Sequence, residues 1–180
     1  MTIITCSSCK HVSRTFQSFF TFGLHLPAKA TRRNVTLEAL FESASHSESI
    51  EDYKCDSCKS KSTCTKKIQL AKLPSFLIVY LVRFEISYIS GDYVKNETPV
   101  SVPLQVRVPE KCLDQDTILE SPDYDVIGAI HHSGYREGGH YVAEVNYDGS
   151  WYEKNDSFVS NIKSPRRNDP YVLMLRRKDV

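Results

Sequence analysis

The sequence lacks several features that would place a protein in a broad class at once. No apolar run approaches the roughly 18–20 residues needed to span a membrane as a helix, and the longest, FLIVYLVRF at 76–84, suits a buried strand. Charge of one sign is also lacking, because 23 Lys and Arg residues and 22 Asp and Glu residues leave a net charge of +1. We therefore expect neither nucleic acid nor an anionic membrane as a partner. An internal repeat, a heptad pattern and a glycine-rich nucleotide loop are missing as well.

The N-terminal residues, MTIITCSSCK, do not have the positive segment and long apolar stretch of a secretory signal. We therefore expect a reducing compartment, cytoplasmic, nuclear or both. In such a compartment the six cysteines are first interpreted as metal ligands or free thiols. At 180 residues the chain is long enough to bury a real core and to form one domain or a large part of one.

Two Cys-x-x-Cys pairs, Cys6 with Cys9 and Cys55 with Cys58, form the strongest local motif. This spacing turns two thiolates toward one metal, and two such knuckles complete a closed tetrahedral site, so we predict structural Zn²⁺. A redox dithiol and unrelated surface cysteines are the alternatives. Cys64 and Cys112 lack the spacing, and we expect them to be small, half-buried residues.

Three further segments have readable patterns. The run from Thr36 to Phe41 has a capping threonine and apolar residues at helical spacing, which predicts a short amphipathic helix. The apolar run 76–84 predicts a central strand buried on both faces. Residues 100–108 alternate but contain Pro103, which predicts an edge strand.

The chemistry concentrates between Tyr124 and Asp156, which predicts a strand, a glycine-bearing loop, a strand, a tight turn and a strand. His140 opens the second strand, and Asn155 and Asp156 close the third. This order can bring an imidazole beside a side chain that orients it, which is half of the apparatus for nucleophilic catalysis. The alternative is an ordinary strand histidine that follows a glycine turn.

Taken together, the cysteine pairs with YKCDSCKSK, LPSFLIVYLVRF, YDVIGAIHHSGYREGGHYVAEV, GSWYEKNDSFVS and PYVLML resemble the ubiquitin-specific protease family of cysteine deubiquitinases. The resemblance covers nearly the whole chain in the family's order. It implies an α+β fold of the papain-like cysteine protease type, shaped like a hand and built mostly of antiparallel strands. Residues 1 to about 70 would form the zinc-bearing fingers with a short helix, and about 71–180 the palm with its histidine box.

The resemblance also implies site roles. His140 is expected to be the general base, Asn155 to orient its imidazole, and Asp156 to assist or replace Asn155. The partners implied are ubiquitin and ubiquitinated proteins, and the reaction is thiol-dependent hydrolysis at the C-terminal glycine of ubiquitin. The channel for the ubiquitin tail would be lined by His132, Ser133, Gly138, Gly139 and Tyr141.

One departure from the family bears on activity. The family's nucleophile lies in a Gly-Asn-Thr-Cys-Tyr-like run at the start of a helix, and no such run occurs here. The chain is therefore expected to be the C-terminal half of the catalytic domain, without the helical thumb, and inactive by itself. A partial product of an active enzyme is the favoured explanation. A catalytically inactive ubiquitin-binding module and a zinc-stabilised interaction module without ubiquitin affinity are the alternatives.

Overall fold

The structure is a computed structural model, and it describes residues 1–27, 35–87, 91–115, 121–135 and 137–180. Strands dominate these residues, which confirms the predicted strand-rich fold. In chain order the strands are β1 Thr2–Cys6, β2 Val12–Thr15, β3 Thr21–His25, β4 Val35–Thr36, β5 Glu48–Lys54, β6 Lys61–Ile68, β7 Phe76–Val82, β8 Phe84–Ile86, β9 Tyr93–Lys95, β10 Val100–Ser101, β11 Gln105–Arg107, β12 Asp123–Tyr135, β13 Gly138–Tyr147, β14 Ser150–Asn155, β15 Phe158–Ile162 and β16 Val172–Arg177. Among the described residues, the helical elements include α1, Leu37–Ala44, and a 3-10 turn, Glu110–Cys112.

The main sheet has the order β15-β14-β13-β12-β16-β7-β3, with β11 paired to the end of β12. Its neighbours are antiparallel except β3 and β7, which run parallel. Inward-facing residues of β7 and β16 lie opposite one another in register, with Leu173 beside Val79 and Leu175 beside Leu77. These side chains are at most 2% exposed, so the core lies against this face of the sheet.

β7 lies inside the sheet as predicted, but the expectation that it is buried on both faces is wrong. Leu77, Val79 and Leu81 are buried, whereas Phe76 is 56% and Tyr80 37% exposed. Alternate residues of a strand point to opposite faces, so an all-apolar sequence does not show whether the second face is covered. Among the described residues, Phe76 and Tyr80 therefore leave the outer face of β7 partly exposed.

Helix α1 forms where the sequence predicts it and extends three residues further. Thr36 caps it by accepting a hydrogen bond from the Ala39 amide at 3.2 Å. Its apolar stripe, Leu37, Leu40 and Phe41, is buried, and the Phe41 ring stacks on Phe22 of β3 with centroids 5.9 Å apart. No helix in the described ranges is long and apolar enough to cross a membrane.

The segment predicted as one edge strand at 100–108 is divided at Pro103. β10 pairs in parallel with β4, and β11 pairs with the start of β12. Proline has no amide hydrogen to donate, so the ladder stops there and the chain changes partner.

A second, four-stranded antiparallel sheet has the order β2-β1-β6-β5. Gln69 and Leu70 connect it to the rest of the chain. The side-chain amide of Gln69 donates to the Leu113 carbonyl at 2.8 Å, and the Leu70 amide donates to the Cys112 carbonyl at 2.8 Å. These bonds fix the exit of β6 against the 3-10 turn.

Candidate active site and metal centre

The predicted strand order around His140 is confirmed. β12 and β13 pair along eight residue pairs, from Gly128 opposite Val145 to Tyr135 opposite Gly138. Asp148 and Gly149 form the turn to β14 with φ of 47° and 79°, the left-handed pair that a two-residue hairpin turn requires. The hairpin therefore presents His140 at one end of β13.

His140 lies within hydrogen-bond distance of Asn155, since its Nε2 is 2.6 Å from Asn155 Oδ1. With that oxygen as acceptor, Nε2 carries the ring proton and Nδ1 holds the lone pair. His140 is exposed and Asn155 is half-buried. The structure thus holds the imidazole through Nε2, and the lone pair on Nδ1, which has no partner among the described residues, can accept a proton from a thiol.

Asp156 follows Asn155 in the turn between β14 and β15. Its backbone is left-handed, with φ of 50°, and its side chain is exposed. The hydrogen bond to His140 in the described residues comes from Asn155, and the role of Asp156 as a second acid stays a prediction.

His132 and Tyr141 face each other across β12 and β13 on the opposite side of the sheet from His140, with ring centroids 4.5 Å apart. The Nδ1 atom of His132 is buried and has no hydrogen-bond partner among the described residues. Burial, and secondly the positive charge of Lys95, lower the pKa of His132. A neutral imidazole beside an exposed tyrosine can contact a peptide segment through ring faces and hydrogen bonds.

Sequence patterns missed Lys95. Its ammonium group donates to the His132 carbonyl at 2.8 Å and to the Gly134 carbonyl at 3.4 Å, so it holds the end of the β12–β13 hairpin. Lys95 is 37 residues away from His132 in sequence, and the local sequence pattern of β9 does not predict this contact.

The glycines of the hairpin differ in what surrounds them. A Cβ atom on Gly139 would lie 2.6 Å from the Ser133 carbonyl oxygen and would overlap the His132 ring, whereas one on Gly138 would meet nothing within 4 Å. Gly134 has φ of 111° and packs against the backbone of Gly138 and Gly139. Close backbone approach therefore requires glycine at 134 and 139. Ser133 lies opposite His140 in register, and its hydroxyl donates to the His140 carbonyl at 3.5 Å.

A cavity of about 470 Å³ opens beside His140. It is bounded by the hairpin on one side and by the connection between β15 and β16 on the other, so a reacting group could approach the imidazole there. Its lining residues are His131, His132, Ser133, His140, Val142, Arg166, Arg167, Asn168 and Asp169. None of the six cysteines is among them.

The four predicted metal ligands lie together. The Sγ atoms of Cys6, Cys9, Cys55 and Cys58 are all within 4.8 Å of one another, and those of Cys9 and Cys55 are 3.7 Å apart. Four sulfurs at about 2.3 Å from a tetrahedral Zn²⁺ would be about 3.8 Å from one another. The donor set and its spacing therefore fit a metal ion held by four thiolates.

The knuckles form at the ends of the hairpins β1–β2 and β5–β6. In each, the first cysteine carbonyl accepts a hydrogen bond from the lysine four residues on, at 3.0 Å from Lys10 and 2.8 Å from Lys59. Both lysines have left-handed backbones, with φ of 62° and 60°. Two similar turns thus direct four sulfurs to one point.

The other two cysteines lie elsewhere. Cys64 pairs in register with Cys6 and is 0% exposed, and Cys112 is 1% exposed in the core. The expectation that they are half-buried is wrong, because each faces a fully covered side of its element. Burial raises the pKa of the Cys112 thiol, which disfavours the reactive thiolate.

The chain is similar in sequence to known ubiquitin carboxyl-terminal hydrolases. The sequence model of the family described as ubiquitin carboxyl-terminal hydrolase matches residues 2–175. Ubiquitin carboxyl-terminal hydrolase 21 of Rattus norvegicus is 31% identical over 176 residues, covering 94% of this chain and 30% of that protein. Ubiquitin carboxyl-terminal hydrolase 2 of Gallus gallus is 30% identical over 176 residues, with 94% and 48% covered. The chain thus spans less than half the length of these curated relatives.

Solved structures resemble the chain as well. The structure of the SAGA Ubp8/Sgf11/Sus1/Sgf73 DUB module bound to ubiquitin aldehyde matches with a TM-score of 0.84 and 25% identity, covering 99% of this chain and 40% of that chain. A SAGA DUB module bound to monoubiquitin matches with a TM-score of 0.84 and 27% identity, with the same coverage.

Proposed function

The chain belongs to the ubiquitin carboxyl-terminal hydrolase family, and from that premise we propose that it is the C-terminal half of a ubiquitin-specific protease catalytic domain. The four-stranded sheet would belong to the fingers, residues 1 to about 70, and most of the main sheet to the palm, about 71–180, of a papain-like hand whose helical thumb lies outside these residues. The hydrogen bond between His140 and Asn155 carries the proposal, because it supplies the oriented base that thiol-dependent hydrolysis requires.

The reaction proposed is hydrolysis of isopeptide or peptide bonds at the C-terminal glycine of ubiquitin. His140 Nδ1 takes the proton of a cysteine thiol, and the thiolate then attacks the glycine carbonyl carbon. The imidazolium returns that proton to the departing lysine amine, which leaves a thioester that water hydrolyses. Asn155 keeps Nε2–H pointed away from the nucleophile throughout, but as a neutral acceptor it adds no charge to stabilise the imidazolium.

The nucleophile is not one of this chain's cysteines. Four of them form the metal cluster, Cys64 and Cys112 are buried, and none lines the cavity at His140. Asp156, which follows Asn155 in the chain, is proposed to assist or replace Asn155. The thiol is proposed to come from residues outside this chain and to enter the cavity beside His140.

Ubiquitin is the proposed partner, and its tail is proposed to pass over the hairpin end. His132 and Tyr141 offer ring faces there, Ser133 offers a hydroxyl, and the backbone at Gly138 has no neighbouring atom within 4 Å of its Cβ position. Structural neighbours of 25–27% identity were solved with ubiquitin aldehyde or monoubiquitin bound, which supports this partner. Zn²⁺ is the proposed metal of the four-cysteine cluster, and the proposed location is cytoplasmic or nuclear.

The isolated chain is expected to show no hydrolysis of a ubiquitin C-terminal fluorogenic substrate, because the base has no thiol to activate. It should also form no covalent adduct with ubiquitin that carries a C-terminal electrophile. Both are measured on the zinc-loaded chain, by fluorescence and by intact mass. Turnover or an adduct that disappears in the Cys64→Ser or Cys112→Ser variant would show that a buried cysteine becomes the nucleophile.

The chain is expected to bind ubiquitin, and to bind it more weakly when the ubiquitin tail is removed. Titration of isotope-labelled ubiquitin, full-length and lacking its last residues, measures both effects by NMR. Equal affinity for the two forms would contradict the tail channel, and no binding at all would contradict ubiquitin as the partner.

An inactive ubiquitin-binding module is the second candidate, favoured by the cysteine-free cavity at His140. It gives the same two solution results as the first candidate. The coding sequence ahead of Met1 distinguishes them, because a Gly-Asn-Thr-Cys-like segment in frame is expected only for a catalytic domain.

A further inference from the structure

Two glutamates face each other on the strands that carry the base and its orienter. Glu144 of β13 lies directly opposite Glu153 of β14. Glu144 is 1% exposed, and Glu153 is half-buried with 28% of its side chain exposed. Like charges directly opposite on neighbouring strands are destabilising, and a buried carboxylate without a partner is costly, so this pair needs a cation.

Arg166 supplies that cation and contacts both carboxylates. Its backbone amide donates to Glu144 Oε2 at 2.8 Å, and its side-chain Nε lies 3.1 Å from Glu144 Oε1. Its Nη2 donates to Glu153 Oε2 at 2.5 Å. His131 of β12 adds a contact, with Nε2 3.3 Å from Glu144 Oε2. A planar guanidinium can reach two carboxylates in this way, whereas an ammonium is a single point of charge.

The contacts of Arg166 with Glu144 and Glu153, together called the clamp, lie close to the point where β13 and β14 stop pairing. The β13–β14 register described by backbone pairing ends at Ala143 opposite Lys154, one pair beyond the two glutamates. Past that point the backbone of Asn155 pairs with Phe158 of β15. The link from β13 to Asn155 is then the side-chain hydrogen bond of His140.

The side chains involved also share one face of the sheet. Glu144 is four residues from His140, and Glu153 is two residues from Asn155, so alternation places all four on the same side. The connection between β15 and β16, which carries Arg166, crosses this face and lines the cavity at His140. Any opening between the two glutamates would move apart the end of β13 with His140 and the end of β14 with Asn155, which do not pair with each other beyond Ala143 and Lys154.

We propose that Arg166 is a positioning residue that sets the distance between His140 and Asn155 by clamping Glu144 of one strand to Glu153 of the other. The catalytic meaning of that distance rests on the proposed function, but the clamp itself does not. Sequence patterns could not reveal it, because Arg166 lies in an irregular connection 22 residues from Glu144.

The experiment is NMR of the imidazole signals of His140 in the zinc-loaded chain, which needs neither hydrolysis nor ubiquitin. Asn155→Ala supplies the reference signals of a released ring. Arg166→Met is expected to move the His140 signals at least half of the way toward that reference. Arg167→Met is the matched control, since Arg167 is a neighbouring exposed arginine that lines the same cavity, and it should leave the signals unchanged.

A double variant tests whether Arg166 acts by neutralising the two carboxylates or only by filling space. In Glu144→Gln/Arg166→Met the repulsion is gone, and the new amide can donate to Glu153, so the His140 signals should return most of the way to the wild-type positions. Thermal melting and zinc content check that each variant is folded. If Arg166→Met does not fold, Arg166→Lys carries the test, because lysine keeps the charge but not the fork, and it should give a partial shift.

Unchanged His140 signals in a folded Arg166→Met or Arg166→Lys variant would overturn the proposal. So would a shift of the same size in Arg167→Met, or a double variant no better than Arg166→Met. A failure of ubiquitin binding or of catalysis elsewhere would leave these spectra unaffected, so the two proposals fail separately.

Discussion

Replacing Cys55 with serine is expected to abolish zinc binding and to unfold the four-stranded sheet of β1, β2, β5 and β6. The buried cluster of this sheet consists of three cysteines with Ile4 and Tyr53 packed against them, which is too small a core to hold four strands. Structural zinc sites contribute on the order of 10–16 kcal/mol in small domains, comparable to the ~5–15 kcal/mol stability of a whole protein. Loss of the metal should therefore dominate the stability of this sheet.

Metal analysis and hydrogen exchange of the β1 and β6 amides measure the outcome. Cys64→Ala is the control, because Cys64 is buried next to Cys6 yet is not part of the four-cysteine cluster. It should keep one zinc per molecule and lose only about 1 kcal/mol. A zinc content near zero in the wild-type chain, or an undiminished one in Cys55→Ser, would refute the site.

Gly139→Ala is expected to distort the end of the β12–β13 hairpin and to remove ubiquitin binding. The His132 ring could rotate away from an added methyl group, but the Ser133 carbonyl, 2.6 Å from the Cβ position, belongs to the paired strand and cannot. Backbone pairing at Gly134 and Gly139 must then open, at a cost of about 1–3 kcal/mol or more. Denaturant unfolding and ubiquitin titration measure the two effects.

Gly138→Ala is the matched control one residue away. Its Cβ would meet nothing within 4 Å, so we expect the wild-type free energy of unfolding within about 0.5 kcal/mol. Similar losses in both variants would mean that glycine flexibility, and not close packing, matters at this hairpin.

The sequence predicted those parts of the fold that local patterns encode. The order of strand, glycine-bearing loop, strand, tight turn and strand was predicted around His140, and Thr36 predicted the start of α1. The two Cys-x-x-Cys pairs predicted the sulfur cluster, because each knuckle is formed within one hairpin. The order of the strands indicated that His140 could meet Asn155 or Asp156, whereas the separate roles of the three residues came from the resemblance to a family, and those roles stay predictions.

The parts that the sequence did not predict depend on partners distant along the chain. Lys95 of β9 contacts β12, and Arg166 in an irregular connection contacts β13 and β14, so no local sequence pattern indicates either contact. For the same reason the apolar sequence of β7 did not show that its outer face is exposed. Whether a face of a strand is covered depends on the elements that pack against it, and these cannot be predicted from the strand's own residues.

The exposure of His140 affects how firmly its imidazole is held by Asn155. In contact with water a hydrogen bond contributes little, because solvent competes for the same donor and acceptor. The same 2.6 Å bond in a low-dielectric environment fixes the imidazole far more firmly. Whatever covers the cavity beside His140 would therefore switch the orienting bond from weak to strong, so that the base becomes well aligned only when it is enclosed.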